Sequence, residues 1–570
     1  MELQENLTNA FLKAKNEYDV IAVCYFGILS NGIRDDQVNF VAEYIDWLAM
    51  GEEYTDSFQS LNNSIIDIFL KNGGIFSKPG EGMEFPDVCS ELVSELEKFK
   101  CPDDMNMSVC IAISLYYVIV ALDQYVQNEL KAMLPRELPE SRETSGPLNG
   151  GDTLNYCMVY FKERESFLSE AYDRRGKEGF RKPLHQTRIG TMFDAVLLVK
   201  KDLLPGSSGN NLPPKIVHLR LDKKRKDAVD NKKLTIASIP YIGFPTFRFY
   251  SFENNRAFEE DEAVEGLFGI TYEAEAEEEN AQRIIKLVNL AVKRGANIIT
   301  FPEFVMSQKM EEALVNYLHN LNKETRNVLM LVFAGTQYRM EGGDKGNNVL
   351  SVYDASGWKI GEYYKYSPFL TQNGEQIHGS LLNERIQSSN RPRKLENCEL
   401  LSNPGKECVL IDIDGIGRIL PAICRDVTDG VYTRRLAELF LPSMIVIPAW
   451  SKSVTSFEGQ LSMLADTIHT SSLLCNCCNA VGDVNSGNTA GTSQSNTEYK
   501  KTTGLFFLPK KRDSAMKAKK LQIEKTSMCV ENCVNYGGCI VEIEIDYSKG
   551  KPTVIPECHI MGSAYPNYVD

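Results

Sequence analysis

The chain has 570 residues, of which 43% are hydrophobic and 24% charged, with fifteen cysteines and a formal charge of −15. That length outgrows one hydrophobic core, so about three to four structural units are expected in an ordinary soluble globular protein. The acidic balance argues against a broad nucleic-acid-binding surface and leaves room only for a local basic patch.

The opening MELQENLTNAFLKAKNEYD is acidic and mixed, without the basic start and apolar core of a secretory signal. A cytoplasmic location follows as the expectation, with the cysteines reduced rather than forming a disulfide framework. Residues 1–135 read as helical. Phe11, Ala14 and Tyr18, then Val38, Val41, Ile45 and Leu48, recur at helical spacing, and residues 64–70 continue the pattern. Residues 105–122 carry no charge and touch the lower length limit for a membrane span. Asn106, Ser108 and Ser114 interrupt them and basic flanks are missing, so the reading is a buried core helix and no membrane segment is expected.

Residues 134–152 are rich in Pro, Gly, Ser and charge and read as a linker or exposed loop. Within the linker and small mixed α/β segment 136–230, residues 154–161 and 195–199 are candidate strands. The basic clusters 174–182 and 223–226 are read as solvated faces.

From residue 234 the pattern sharpens. Residues 234–239 form a β-type run. The acidic stretch 273–279 opens a helix with an apolar face of Ile284, Leu287, Val288 and Ala291, which Gly295 ends. The next strand, residues 296–301, stops at Pro302 and delivers Glu303 beyond its end. Residues 328–334 and 349–353 are strands, and 360–364 leads into Lys365. Residues 409–413 and 418–423 make a hairpin around Asp414-Gly415 that closes on Cys424. A strand at 444–447, a helix over 457–470 and a strand over 473–481 follow, an alternation that indicates an α/β fold. Singly, Glu303 and Lys365 suit surface charges and Cys424 a buried inert thiol.

Together, ITFPEF, GEYYKYSPF and LPAICRD resemble the three signature segments of the nitrilase superfamily, the carbon-nitrogen hydrolases, in the same order. The likeness spans about residues 234–548. Asn348, the VIPAW strand ending at Trp450, the helix near Phe457 and the CNAVG segment are also similar to that family. The resemblance implies an αββα sandwich, placed over residues 231–550 with a C-terminal tail at 551–570; the mainly α-helical domain at 1–135, read from its periodicity, lies outside the likeness and is expected to serve a partner or regulation. It also implies roles. Cys424 would attack to give a thioester, Glu303 would serve as general base and acid, and Lys365 with the backbone N–H of Arg425 would stabilise the tetrahedral intermediate. These are the nucleophile, base and charge stabilisation that breaking an amide or nitrile carbon-nitrogen bond demands. A second glutamate usually orients the lysine, and Glu375 in TQNGEQIHG is the choice. Glu362 precedes the lysine and is expected on the opposite strand face.

The chain departs from the family in a polar insertion around 379–404 and in VTDGVYTRR after the nucleophile. The substrate therefore stays open among nitriles, primary amides, N-carbamoyl compounds and amidated metabolites. Cys529, Cys533 and Cys539, with Cys558 and His559, lack close CxxC pairs, so neither a metal nor a cofactor is expected. The expected partners are a small amide- or nitrile-like substrate, a second copy of the chain in a homo-oligomer, and a protein bound through the N-terminal half. Nucleic acid is disfavoured. The competing reading is a nitrilase fold kept as an interaction or oligomerisation scaffold.

Overall fold

The computed structural model divides into two units, one of Met1–Arg164 and Arg175–Leu204 and the other of Glu165–Arg174 and Pro205–Asp570. The structure describes residues 5–14, 17–31, 52–71, 85–99, 106–133, 144–145, 157–161, 168, 196–200, 214–219, 221, 231–240, 247–257, 267–322, 328–340, 345–369, 398–429, 431–451, 453–478, 502–509, 519–524, 539–546 and 553–560.

The first unit holds helices α1 (Glu5–Leu12), α2 (Glu17–Ser30), α3 (Glu52–Lys71), α4 (Phe85–Lys98) and α5 (Met107–Met133). Cys110, Leu115, Val118, Ile119 and Leu122 of α5 share one apolar core with Val20, Cys24 and Ile28 of α2 and Ile65, Ile68 and Phe69 of α3. The stretch Met107–Gln124 has the length and apolarity of a membrane span, yet 67% of it is buried inside the protein. It is the core helix that its interrupting polar residues suggested. Ser114 is accommodated by donating to the Cys110 carbonyl one turn back, at 2.9 Å. Strands β1 (Cys157–Phe161) and β2 (Val196–Lys200) pair antiparallel and fall in this same unit. Cys110 is disulfide-bonded, which departs from the expectation of reduced thiols throughout. The expected apolar repeat at residues 38–48 lies outside the described residues.

In the second unit, one seven-stranded sheet runs in the order β11 (Lys359–Tyr364), β10 (Gly346–Asp354), β9 (Leu331–Met340), β8 (Ile298–Thr300), β4 (Lys233–Ser238), β19 (Cys539–Asp546) and β20 (Thr553–Ile560). Facing it is a sheet that contains, in order, β3 (Lys215–Leu219), β13 (Val409–Ile413), β14 (Gly417–Pro421), β15 (Met444–Ala449), β16 (Ser471–Asn476), β17 (Thr502–Leu508) and β18 (Lys519–Glu524). The two meet closely. Cys475 Sγ on β16 lies 3.6 Å from the Thr300 carbonyl of β8, and a Cβ on Gly361 of β11 would sit 2.8 Å from Val409 of β13. β10 and β15 are buried at every position, as strands covered on both faces must be, whereas β19 alternates buried and half-buried residues along its second half.

Helix α6 (Ala274–Lys293) packs Ile284, Leu287, Val288 and Ala291 in one core with Ile299 and Val332 of the first sheet, and α7 (Gln308–His319) adds Met310, Leu314 and Leu318. At the start of α7, Ser307 Oγ accepts the Met310 N–H, an N-cap that the sequence analysis missed. On the other sheet lie α9 (Tyr432–Phe440) and α10 (Thr455–Met463), the latter continued by a π-helical turn, Leu464–Ile468. The second unit is thus the αββα sandwich that the resemblance implied. A small four-stranded sheet, in the order β12 (Cys398–Glu399), β7 (Leu267–Tyr272), β5 (Phe247–Ser251) and β6 (Arg256–Ala257), was not foreseen. The expected boundary at residue 231 would also cut away β3, which pairs in parallel with β13 from Lys215 to Leu219.

Candidate active site

Glu303 sits just past the end of β8, which lies parallel between β4 and β9. Pro302 lacks the N–H that would extend the ladder, and Phe304 turns the chain at φ 63°. The turn is held by the Phe304 N–H donating to Thr336 Oγ1 at 2.9 Å and by a bulge in β9 between Phe333 and Thr336. Gly335 occupies that bulge at φ 77°, where a Cβ would come within 2.5 Å of the Pro302 carbonyl, so no larger residue fits.

Lys365 follows β11, whose antiparallel register with β10 lets the Lys365 N–H donate to the Asn348 carbonyl at 2.9 Å. Cys424 ends the run from β14, which is parallel to β15, and its N–H donates to the Pro448 carbonyl at 2.9 Å. Its backbone, at φ 41° and ψ −102°, is strained for a residue with a side chain, a feature that concentrates at functional sites. Helix α8 (Arg425–Thr428) begins at once after it, so the Arg425 N–H belongs to the first turn of a helix.

The three residues named from the sequence therefore converge. Lys365 Nζ donates to Glu303 Oε1 at 2.8 Å, and the Cys424 thiol is hydrogen-bonded to Glu303 and lies against the Trp450 N–H. Trp450 N–H also donates to Glu303 Oε2 at 3.0 Å. All are deeply buried, with Cys424 the most accessible at 5%. Glu375 lies outside the described residues. The carboxylate on the lysine is Glu399 of β12, whose Oε2 accepts Lys365 Nζ at 2.6 Å and the Phe369 N–H at 2.8 Å. Asn348 Nδ2 bridges the two glutamates, donating to Glu303 Oε1 and Glu399 Oε1 at 2.9 Å each. Glu362 instead joins Arg339 and Lys359 at 2.9 and 2.8 Å, away from Lys365, as strand alternation requires.

Burial and the charge of Glu399 raise the Glu303 carboxyl above its ordinary range against the opposing pull of Lys365. Burial, then the Glu303 charge, pushes the Cys424 thiol well up, with Lys365 again opposing. Burial works to lower Lys365, but Glu303, Glu399 and Cys424 together hold it above its usual value, so it stays an ammonium. The resting cluster is a thiol, a cation and flanking carboxylates, with the base poised toward proton uptake.

Asp426, two residues after the nucleophile, is fully buried and was given no role from the sequence. Burial pushes it up to about 7, against the N–H groups of Ser367 and Tyr366, the Lys365 charge and the Tyr363 hydroxyl. Among the described residues no three His, Cys, Asp or Glu side chains are grouped as metal ligands would be. Cys529 and Cys533 lie outside the described residues.

A buried cysteine hydrogen-bonded to a glutamate, which a lysine in turn engages, thus lies between the two sheets. The carbon-nitrogen hydrolase family model matches residues 266–446, so the C-terminal half carries a domain of the carbon-nitrogen hydrolase kind. Solved structures to which the chain is similar include three of distant sequence. A glutamine-dependent NAD+ synthetase from Acinetobacter baumannii is 13% identical with a TM-score of 0.33, covering 58% of this chain and 48% of that one, so the chain spans about half its length. Nit3 from Saccharomyces cerevisiae, a member of branch 10 of the nitrilase superfamily, is 15% identical with a TM-score of 0.27, covering 57% of this chain and 90% of its own. An amidase from Nesterenkonia sp. is 13% identical with a TM-score of 0.26, covering 43% and 76%. Comparison with curated protein sequences gives no match.

Proposed function

We propose that this protein is a cysteine-dependent amidase or related enzyme that cleaves a non-peptide carbon-nitrogen bond. The observation that carries the reading is the single hydrogen-bonded chain from the Cys424 thiol through Glu303 to Lys365. Glu303 takes the thiol proton as Cys424 Sγ bonds to the substrate's acyl carbon, and the negative charge that develops on the acyl oxygen meets Lys365 Nζ and the Arg425 N–H. The carbon-nitrogen bond then breaks as Glu303 returns the proton to the departing amine, leaving a thioester. Water, deprotonated by Glu303, attacks the thioester carbon and releases the acid and the thiol. A raised carboxyl suits this shuttle, because a more basic carboxylate takes up a proton more readily.

Glu399 fills the role sought for a second glutamate, holding Lys365 Nζ together with Glu303 and keeping it charged. The helical unit at the N-terminus would recruit a protein partner or a second copy of the chain, since the hydrolase site draws none of its described side chains from it. The test is site-resolved alkylation. Iodoacetamide should modify Cys424 faster than the other free cysteines, such as Cys408, which burial pushes far up, and Cys475, which burial raises to about 12, because neither has the Glu303 hydrogen bond and the Lys365 charge that act on Cys424. Equal and slow modification of all three would sink the enzymatic reading and favour a scaffold.

A further inference from the structure

Resting on that reading of the site, the structure points to a further participant that touches neither thiol nor amine. Asp426 Oδ1 accepts the N–H groups of Tyr366 and Ser367, at 3.0 and 2.6 Å, immediately after Lys365. Its Oδ2 accepts the Tyr363 hydroxyl at 3.0 Å, from just before Lys365, and lies 3.4 Å from the Ile423 N–H, just before Cys424. One carboxylate thus gathers donors from both sides of the lysine and from the strand that delivers the nucleophile. The same two segments are joined again by Ser367 Oγ donating to Asp429 Oδ2 at 3.0 Å and by the stacked rings of Tyr366 and Tyr432, 4.1 Å apart. Thr433 Oγ1 donates to the Asp426 carbonyl at 2.9 Å and fixes the helical turn itself.

We infer that Asp426 is a positioning residue, a buried clamp that holds the nucleophile turn against the lysine loop and so sets where the Lys365 charge falls on Cys424. The strained backbone of Cys424 supplies the reason, because an unfavourable φ persists only where the surroundings over-determine it. A fully buried carboxyl is costly to keep unless its oxygens are satisfied, and here Oδ1 faces two donors from the lysine loop while Oδ2 faces one from each of the two segments it joins. The ionisable and charged groups around it are Lys365 and Tyr363 at the end of β11, Cys408 ahead of β13 and Tyr432 of α9.

The experiment measures the rate of iodoacetamide alkylation at Cys424, resolved by mass spectrometry across a pH series, in the full chain. Asp426→Asn keeps the shape and the acceptor for Tyr366 and Ser367 but turns an N–H₂ toward the Ile423 N–H. It should slow Cys424 labelling by about tenfold or more, the scale of one lost hydrogen bond to a charged group, and move its pH midpoint upward, with the thermal midpoint held. Tyr363→Phe removes one donor alone and should slow labelling a few-fold in the same direction. Wild-type rate and pH profile in Asp426→Asn would overturn the clamp. If that variant fails to fold, an unchanged rate in Tyr363→Phe overturns it instead. Slow labelling of Cys424 in the wild type would be a different failure, that of the catalytic reading beneath.

Discussion

Replacing Glu399 by Gln tests the lysine's second partner, and the geometry fixes what the change costs. Glu399 Oε2 takes two donors, Lys365 Nζ at 2.6 Å and the Phe369 N–H at 2.8 Å, while Oε1 takes Asn348 Nδ2 at 2.9 Å. A glutamine has one oxygen for three donors. With that oxygen placed on Lys365, its N–H₂ meets the Asn348 N–H₂, and Asn348 can yield only by turning its amide and releasing Glu303. The loss is therefore at least one hydrogen bond to a charged group, about 1.5–3 kcal/mol, or roughly ten- to a hundredfold in turnover. The nucleophile is touched differently, since the charges acting on the Cys424 thiol are those of Glu303 and Lys365. Glu399→Gln should then impair amide turnover, followed by ammonia release, while Cys424 alkylation holds its rate. Glu375→Gln made alongside should leave turnover intact. Wild-type turnover in Glu399→Gln, or parallel loss of turnover and alkylation, would refute the assignment of Glu399 to the lysine.

Other outcomes are as concrete. Cys424→Ala should abolish product release while the thermal midpoint stays within a few degrees; retained turnover would remove the nucleophile. Glu303→Gln should cost on the order of a hundredfold or more in rate, and the wild-type rate should fall with acid through a midpoint above 4.5, because the base must be ionised and burial raises it; a midpoint at or below that value would argue for another base. A fragment of residues 205–570, which keeps β3, should stay soluble and hydrolyse a small test amide, whereas a fragment from residue 231 should be less stable for want of that strand. Equal thermal midpoints for the two would show β3 to be dispensable.

The hairpin over residues 409–423, the strands ending at Glu303 and Lys365, and the helix closed by Gly295 were legible because local signals agreed with the fold. Asp414-Gly415 gave a turn, Pro302 a stop, and the apolar stripe of α6 a face. Helix α7 was equally readable and missed: Ser307 before Met310, Leu314 and Leu318 is a cap followed by an apolar face. Glu399 could not be found that way. It lies 34 residues beyond Lys365, inside the polar insertion, on a two-residue strand too short to show alternation, whose partner among the described residues is β7. Asp426 stood next to the nucleophile in plain sight, but its donors come from backbone that only the tertiary fold brings near.

The charge balance of the cluster makes a last consequence. Lys365 is one cation between two carboxylates that already share Asn348 Nδ2, so its removal leaves two buried like charges with one neutral donor between them. Such a pair does not stay doubly ionised, and one carboxyl binds a proton instead. Lys365→Met should therefore silence the oxyanion contact and the base together, and destabilise the fold by about 3–5 kcal/mol, as breaking a buried pair does. That penalty should be smaller in acid and grow as pH rises through the raised carboxyl, because protonation relieves it. Adding Glu399→Gln to Lys365→Met removes one of the two stranded charges and should recover at least about 1 kcal/mol of unfolding free energy without restoring turnover. Urea titrations of the wild type, both single variants and the double variant close the cycle. Additivity within about 0.5 kcal/mol would mean that the two carboxylates do not feel one another through the lysine, and the coupled account of the site would fall with it.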